Sequence, residues 1–396
     1  MRVGRGIVSA TVMTLAVGTV TVLAGTPAVA EPCGGVPGTG ITGVGLPFQQ
    51  PSGVQGPVPY YSGANTNTVS WVTGPASAND TFDRFGISGT DLGISWDNGA
   101  GQTLVAFGDT IGNCTVPGGE WRHQVLLRSN DSDLSDGMSL DEAVSTTSPR
   151  FATQLLPTLG LAPVETTVIP TAAIAVDGVQ YMSFMSVRAW NGSTWSTNYS
   201  GIATSRDNGQ TWFSEPSTLR FNSGVPIPGT EQFNARFQQA AFVRGTDGKV
   251  YQYGTPNGRL GAVFLSRVAP EAILDLNRYE YFTGAGWSTD LNAAAPIVRE
   301  PVGELSVAWN AYLGKYVMLH GNDIEGRIVL RTAPSPEGPW SGPTTLVVNS
   351  ELGGYPGSGL YAPYIHPKSS GSDLYFTVSQ YSSYNVILMH TDLAAI

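Results

Sequence analysis

The sequence predicts an all-β chain folded as a single five-bladed β-propeller closed by an N-terminal strand, and three observations predict it. Sustained helical periodicity is scarce, while short runs of β-branched and aromatic residues alternate with turns rich in Gly, Asn, Ser and Thr. A unit of small-residue strand, turn and bulkier strand recurs five times. Each copy is followed, after a loop of variable length, by a third strand of similar character, as expected of blades that widen outward from a crowded axis.

The elements follow in chain order. Residues 1–30 read as a secretory signal, with Arg2 and Arg5 ahead of an apolar run from Ile7 to Leu23 and Ala28-Val29-Ala30 at its end, so the mature, secreted chain is expected to begin near Glu31. Residues 31–65 form a Gly- and Pro-rich arm. Residues 66–396 hold the propeller, expected as one catalytic domain. TNTVSWVTG, from Thr66, has no partner of its own, and the last repeat ends at HTDLAAI without an outer strand, so these two pair and close the ring. The repeats begin at Asp91 (DLGISWDNGAGQTLVAFGD), Thr171 (TAAIAVDGVQYMSFMS), Gln239 (QAAFVRGTDGKVYQYGT), Glu304 (ELSVAWNAYLGKYVMLHGN) and Tyr361 (YAPYIHPKSSGSDLYFTVSQ). SRDNGQTW, from Ser205, has the form of an Asp-box, a hairpin motif in which Asp207 binds turn amides and Trp212 wedges between strands.

Composition narrows the function. The formal net charge is −10, which argues against nucleic acid and anionic membranes and suits a neutral substrate such as a carbohydrate. No second apolar stretch follows the signal, so no membrane span is expected. Cys33 and Cys114 are the only cysteines, and export allows a disulfide between the arm and the end of the first hairpin. DSDLSDGMSLDE, from Asp131, resembles a calcium loop but has Gly137 one place late and Ser135 at the fifth position. The four histidines show no metal spacing. No metal or cofactor is expected, and the protein is expected to be a monomer.

In a propeller, the upstream ends of the innermost strands and the downstream ends of the second strands meet in one funnel. The polar residues at those positions are Arg84, Asp91 and Asp109 from the first blade, Asn234, Arg236 and Gln238 from the third, Glu304, His320 and Asn322 from the fourth, and Tyr361, Tyr364 and Gln380 from the fifth. Asp91 and Asp109 fall on neighbouring strands about 5 Å apart if directly opposed, a placement that costs repulsion and raises the proton affinity of one member. Among the five hairpins, only this one carries a carboxylate at both positions. With Glu304 facing them, the acids are expected to be catalytic, Asp91 as base or nucleophile, and the other residues to bind substrate. Trp190, Trp195, Tyr361 and Tyr364 could offer ring faces to a sugar.

DRFGISGTDLGISW, the FGDT strand end, NARFQQAAFV, ELSVAWN and GLYAPYIHP resemble the secreted endo-D-arabinanases of actinobacteria, glycoside hydrolase family 183, whose domain was long listed as having unknown function. The resemblance runs from about Thr68 to Leu393. It implies a five-bladed propeller that cuts α-linked D-arabinofuranose chains inside the D-arabinan of arabinogalactan and lipoarabinomannan. A propeller that binds such a glycan without cutting it is the alternative.

Overall fold

A computed structural model describes residues 55–396 apart from 64, 115, 223–233 and 353–358. Strand β1 (Thr66–Trp71) is followed by a short helix, α1 (Thr81–Phe85), and then by five sheets in chain order. Blade 1 is β2 (Gly89–Asp97), β3 (Thr103–Ile111), β4 (Val125–Ser129) and β5 (Glu142–Ala143). Blade 2 is β6 (Thr167–Val176), β7 (Val179–Ala189), β8 (Ser196–Ser205) and β9 (Phe213–Phe221). Blade 3 is β10 (Gln239–Arg244), β11 (Val250–Thr255) and β12 (Gly261–Val268), extended by β13 (Glu280–Phe282) and β14 (Trp287–Ser288), with β15 (Pro296–Val302) also on β12. Blade 4 is β16 (Leu305–Asn310), β17 (Lys315–Asn322), β18 (Arg327–Ala333) and β19 (Thr344–Val348). Blade 5 is β20 (Leu360–Ile365), β21 (Asp373–Gln380) and β22 (Asn385–Asp392).

The strands β2, β6, β10, β16 and β20 contact one another in sequence, and β20 returns to β2, so the five innermost strands form a closed ring. The repeats in the sequence are therefore the blades, in the expected order. Closure is also as expected: β1 pairs antiparallel with β22, from Thr66 opposite Thr391 to Trp71 opposite Ile387, and supplies the fourth strand of blade 5. A chain end clasped in this way closes the ring by building one blade from both ends of the propeller.

Packing between blades supplies the core. Trp96 and Trp212 join Leu104 and Leu126 where blades 1 and 2 meet, and Trp71 joins Phe376 and Ile387 under the closing strand. The Asp-box behaves as its sequence predicts: Asp207 Oδ1 accepts from the Thr211 amide at 2.9 Å, and the buried Trp212 indole donates to the Gly209 carbonyl at 2.9 Å. In the acidic segment after blade 1, Asp131 and Asp133 accept from backbone amides of their own turn. Among the described residues, no group of three or more metal-ligating side chains converges, and no helix is long and apolar enough to cross a membrane. Cys114 is buried beside Ser88; Cys33 lies outside the described residues, as do 1–54 with the signal and most of the arm.

The axial channel opens differently at its two ends. Away from Asp91 it forms a cavity of about 510 Å³ walled largely by apolar side chains, among them Ala173, Ala241, Ala308, Phe242 and Trp309. Its one carboxylate, Asp97, pairs with Lys368 at 3.4 Å. The chemistry belongs to the opposite end.

Trp71 is buried beneath the clasp, so Trp71→Ala should cost about 3–5 kcal/mol of stability. Urea unfolding measures it, and a loss below about 1 kcal/mol would mean that the ring does not rely on this joint.

Candidate active site

The site begins with a break in a ladder. Thr90 pairs with Thr110 and Leu92 with Phe107, so Asp91 alone faces the two residues Gly108 and Asp109 in a β-bulge. Leu92 at φ 74° and Gly93 at φ 81° complete the distortion, which is costly for a branched side chain such as leucine. The neighbouring blade holds it in place: the Leu92 amide donates to Ser379 Oγ at 2.7 Å, and Thr377 Oγ1 donates to the Gly93 carbonyl at 3.0 Å. The bulge turns the Asp91 carboxyl over the Cα of Gly108, where a Cβ would stand 2.3 Å from Asp91 Oδ1.

The two aspartates occupy opposite environments. Asp91 Oδ2 accepts from the Tyr361 hydroxyl at 3.0 Å, while Oδ1 is covered and has no hydrogen-bond partner. Burial first, then the charges of Asp109 and Glu304, push its pKa up to about 8 against the opposing pull of Tyr361 and Arg259. An unpartnered buried oxygen independently favours the neutral acid, because a charged one would be costly there. Asp109 is built to accept. Its Oδ1 takes the Trp121 indole N–H at 2.9 Å and the Thr167 hydroxyl at 2.6 Å, with His123 Nδ1 3.7 Å away. Both bonds fall on one oxygen, so Oδ2 is left for whatever enters the funnel.

Glu304 is buried from blade 4 but is not a free acid. Arg259, on the turn between β11 and β12, donates from Nε and Nη2 to both its oxygens at 2.8–3.1 Å. Burial works against the guanidinium charge, and Glu304 overrides it and holds Arg259 protonated more firmly than usual, helped by Asp323 at 3.8 Å. The guanidinium also lies over the rings of Tyr361, 4.7 Å, and Trp195, 5.2 Å. It thus fixes the tyrosine that binds Asp91.

The remaining predicted residues divide. Tyr361 and Tyr364 join the cluster, and Tyr364 lies within electrostatic reach of Glu304, Asp91 and Arg259. Gln380 is buried in blade 5 with neither amide atom partnered. The others are engaged in hydrogen bonds within the blades. Arg84 is exposed on α1 and donates to the Asn79 and Asp141 carbonyls at the edge of blade 1. Arg236 binds the carbonyls of Leu291, Asn292 and Ala294 in outer blade 3. Gln238 donates its side-chain amide to the Arg220 carbonyl and to the carbonyl of the buried Asn234, and accepts from the Thr197 hydroxyl. His320 is buried between the Gly321 carbonyl and Arg331, with burial lowering its pKa to about 4. Asn322 caps the Glu325 amide. Trp195, Tyr361 and Tyr364 are buried, whereas Trp121, Trp190 and Tyr381 are half-buried.

Sequence reasoning missed Trp121, His123, Thr167 and Arg259. Trp-x-His just ahead of a β-strand was a visible alternation, since residues two apart share a face. Arg259 gave no such signal, being on a turn whose direction only the assembled ring sets.

Fold and site together define a five-bladed propeller with a carboxyl pair in its funnel, one partner sheltered and one hydrogen-bonded. Within that class, the chain belongs to the family described as Domain of unknown function (DUF4185), which matches residues 76–390. Notoamide biosynthesis cluster protein J′ of Aspergillus versicolor is similar at 30% identity, over 76% of this chain and 83% of its own. Notoamide biosynthesis cluster protein J of Aspergillus sp. (strain MF297-2) is 28% identical over 84% and 90%. Among solved structures, a putative hydrolase from Bacteroides ovatus ATCC 8483 superposes with a TM-score of 0.53 at 13% identity, covering 79% of this chain and 88% of that one.

A carboxyl whose pKa is raised on folding binds its proton more tightly in the native state, so its contribution to stability is present below the unfolded value near 3.8 and is lost as pH rises to about 8. Asp91→Asn should therefore gain stability over the parent by on the order of 1 kcal/mol per pH unit across that window. Denaturant midpoints at several pH values test this; a constant difference would mean that Asp91 ionises normally.

Proposed function

We propose that this protein is a secreted glycoside hydrolase that cleaves α-D-arabinofuranosyl linkages within D-arabinan, acting as a monomer and without a cofactor. The observation that carries hydrolysis is a pair of aspartates in different surroundings, Asp91 sheltered and raised toward the neutral acid and Asp109 accepting two hydrogen bonds on Oδ1. Glycoside hydrolysis needs such a pair astride the scissile bond. The D-arabinan substrate rests on the sequence resemblance, with which membership of the DUF4185 family is consistent, and secretion rests on the signal read in residues 1–30.

In this reading Asp91 takes the part of the acid instead of the base or nucleophile first expected of it. Asp91 acts as general acid and protonates the departing glycosidic oxygen; Asp109 Oδ2 attacks the anomeric carbon or takes a proton from the attacking water. Positive charge then develops on the sugar ring, in view of the Asp109 carboxylate. Glu304 and Arg259 hold Tyr361 against Asp91, which makes Glu304 a positioning residue rather than a proton donor. Trp121, Trp190 and Tyr381 provide ring faces at the rim.

The purified mature protein should release arabino-oligosaccharides from arabinogalactan, and Asp91→Asn or Asp109→Asn should lower kcat by about 10²–10⁴-fold without unfolding. Binding without newly formed reducing ends would overturn the hydrolase reading in favour of a lectin. Activity should fall as pH rises through about 8, where the general acid loses its proton; a profile flat from pH 6 to 9 would remove Asp91 from that role. Gly108→Ala should impair kcat as severely as a direct change at Asp91, because the added methyl claims the space of Oδ1.

A further inference from the structure

We infer that His123 and Thr167 form a two-step hydrogen-bond relay that positions Asp109, with His123 held as the tautomer protonated on Nδ1. The kinetic part of this inference rests on the hydrolase reading; the tautomer does not. The relay starts from a backbone bridge. Thr110 and Arg122 exchange amide-to-carbonyl bonds of 2.7 and 2.8 Å, which brings the neighbouring residues Asp109 and His123 opposite each other on one face. Arg122 anchors the bridge by donating to the Ala152 carbonyl at 2.8 Å and to that of Gly86. The imidazole is buried, with the Trp121 ring 4.4 Å from its own and Gly160 against its Nε2 edge.

Proton counting sets the direction of each bond. Thr167 Oγ1 lies 2.6 Å from Asp109 Oδ1 and 3.0 Å from His123 Nδ1. A carboxylate only accepts, so the single hydroxyl proton of Thr167 goes to Asp109. The threonine oxygen is then an acceptor toward His123, and Nδ1 must carry a proton of its own. The chain runs from His123 through Thr167 to Asp109, crossing from blade 1 to blade 2 and back. Together with Trp121 it fastens Oδ1 and leaves Oδ2 as the reacting atom. His123 never touches substrate in this arrangement; it is a positioning residue for Asp109.

Two readouts test the relay in the full chain. Two-bond ¹H–¹⁵N correlation spectra at neutral pH, with His123 assigned from its loss in His123→Asn, should show Nδ1 bearing a proton. An unprotonated Nδ1 would overturn the relay whether or not the protein is a hydrolase. On arabinan, His123→Leu and Thr167→Val should each lower kcat on the order of tenfold, the effect of one hydrogen bond to a charged group, with KM retained. The double variant should be no worse than either, and His123→Asn, whose amide can replace the Nδ1–H, should recover most of the loss. Additive losses, or a folded His123→Leu with unchanged kcat, would contradict the inference. If the parent cleaves no arabinan, the hydrolase reading fails and the spectra alone decide the tautomer.

Discussion

The site depends on one local conflict: two aspartates brought close together in a single hairpin. In an ordinary ladder this would be repulsion with no return. Here the bulge at Asp91 separates their surroundings even as it brings them together. Asp91 is turned over a glycine with one oxygen unpartnered, and Asp109 is turned toward an indole and a hydroxyl. Differences in solvation and hydrogen bonding, rather than distance, then set the two carboxyl groups apart.

The propeller makes that conflict sustainable. The strained Leu92 backbone is held from blade 5 by Ser379 and Thr377, Asp109 is held from blade 2 by Thr167, and Tyr361 is held by an arginine of blade 3 that is itself clamped by a glutamate of blade 4. Each of the four other blades contributes to these restraints, so the geometry at Asp91 depends on the ring being closed. The clasp of β1 on β22 stabilises the scaffold and, through it, the site.

Much of the fold was legible because a blade is a repeated local pattern, and five copies made the period visible against variable loops. The closing strand was legible as an unpaired strand at one end and a missing one at the other. Asp91 and Asp109 were legible for a related reason, as the deviation from an otherwise uniform hairpin. What escaped was set by contacts between blades. Arg259 meets Glu304 across 45 residues and Thr167 meets Asp109 across 58, and no spacing in the chain announces such pairs. The carbonyl partners of Arg84 were hidden because its short helix packs at the edge of blade 1, and those of Gln238 and His320 because strand position gives depth along the axis but not the direction in which a polar group finds its partner.

The central claim is that Asp91 stays protonated at a pH where ordinary aspartates have ionised. Infrared difference spectroscopy of the parent against Asp91→Asn at pH 6 reads this directly, through the carbonyl stretch of a protonated carboxyl group. The account predicts that the parent shows such a band, absent from the variant and disappearing as pH is raised through about 8. A carboxylate band in its place at pH 6 would show that Asp91 is ionised and would contradict the assignment of acid and acceptor on which the site has been built.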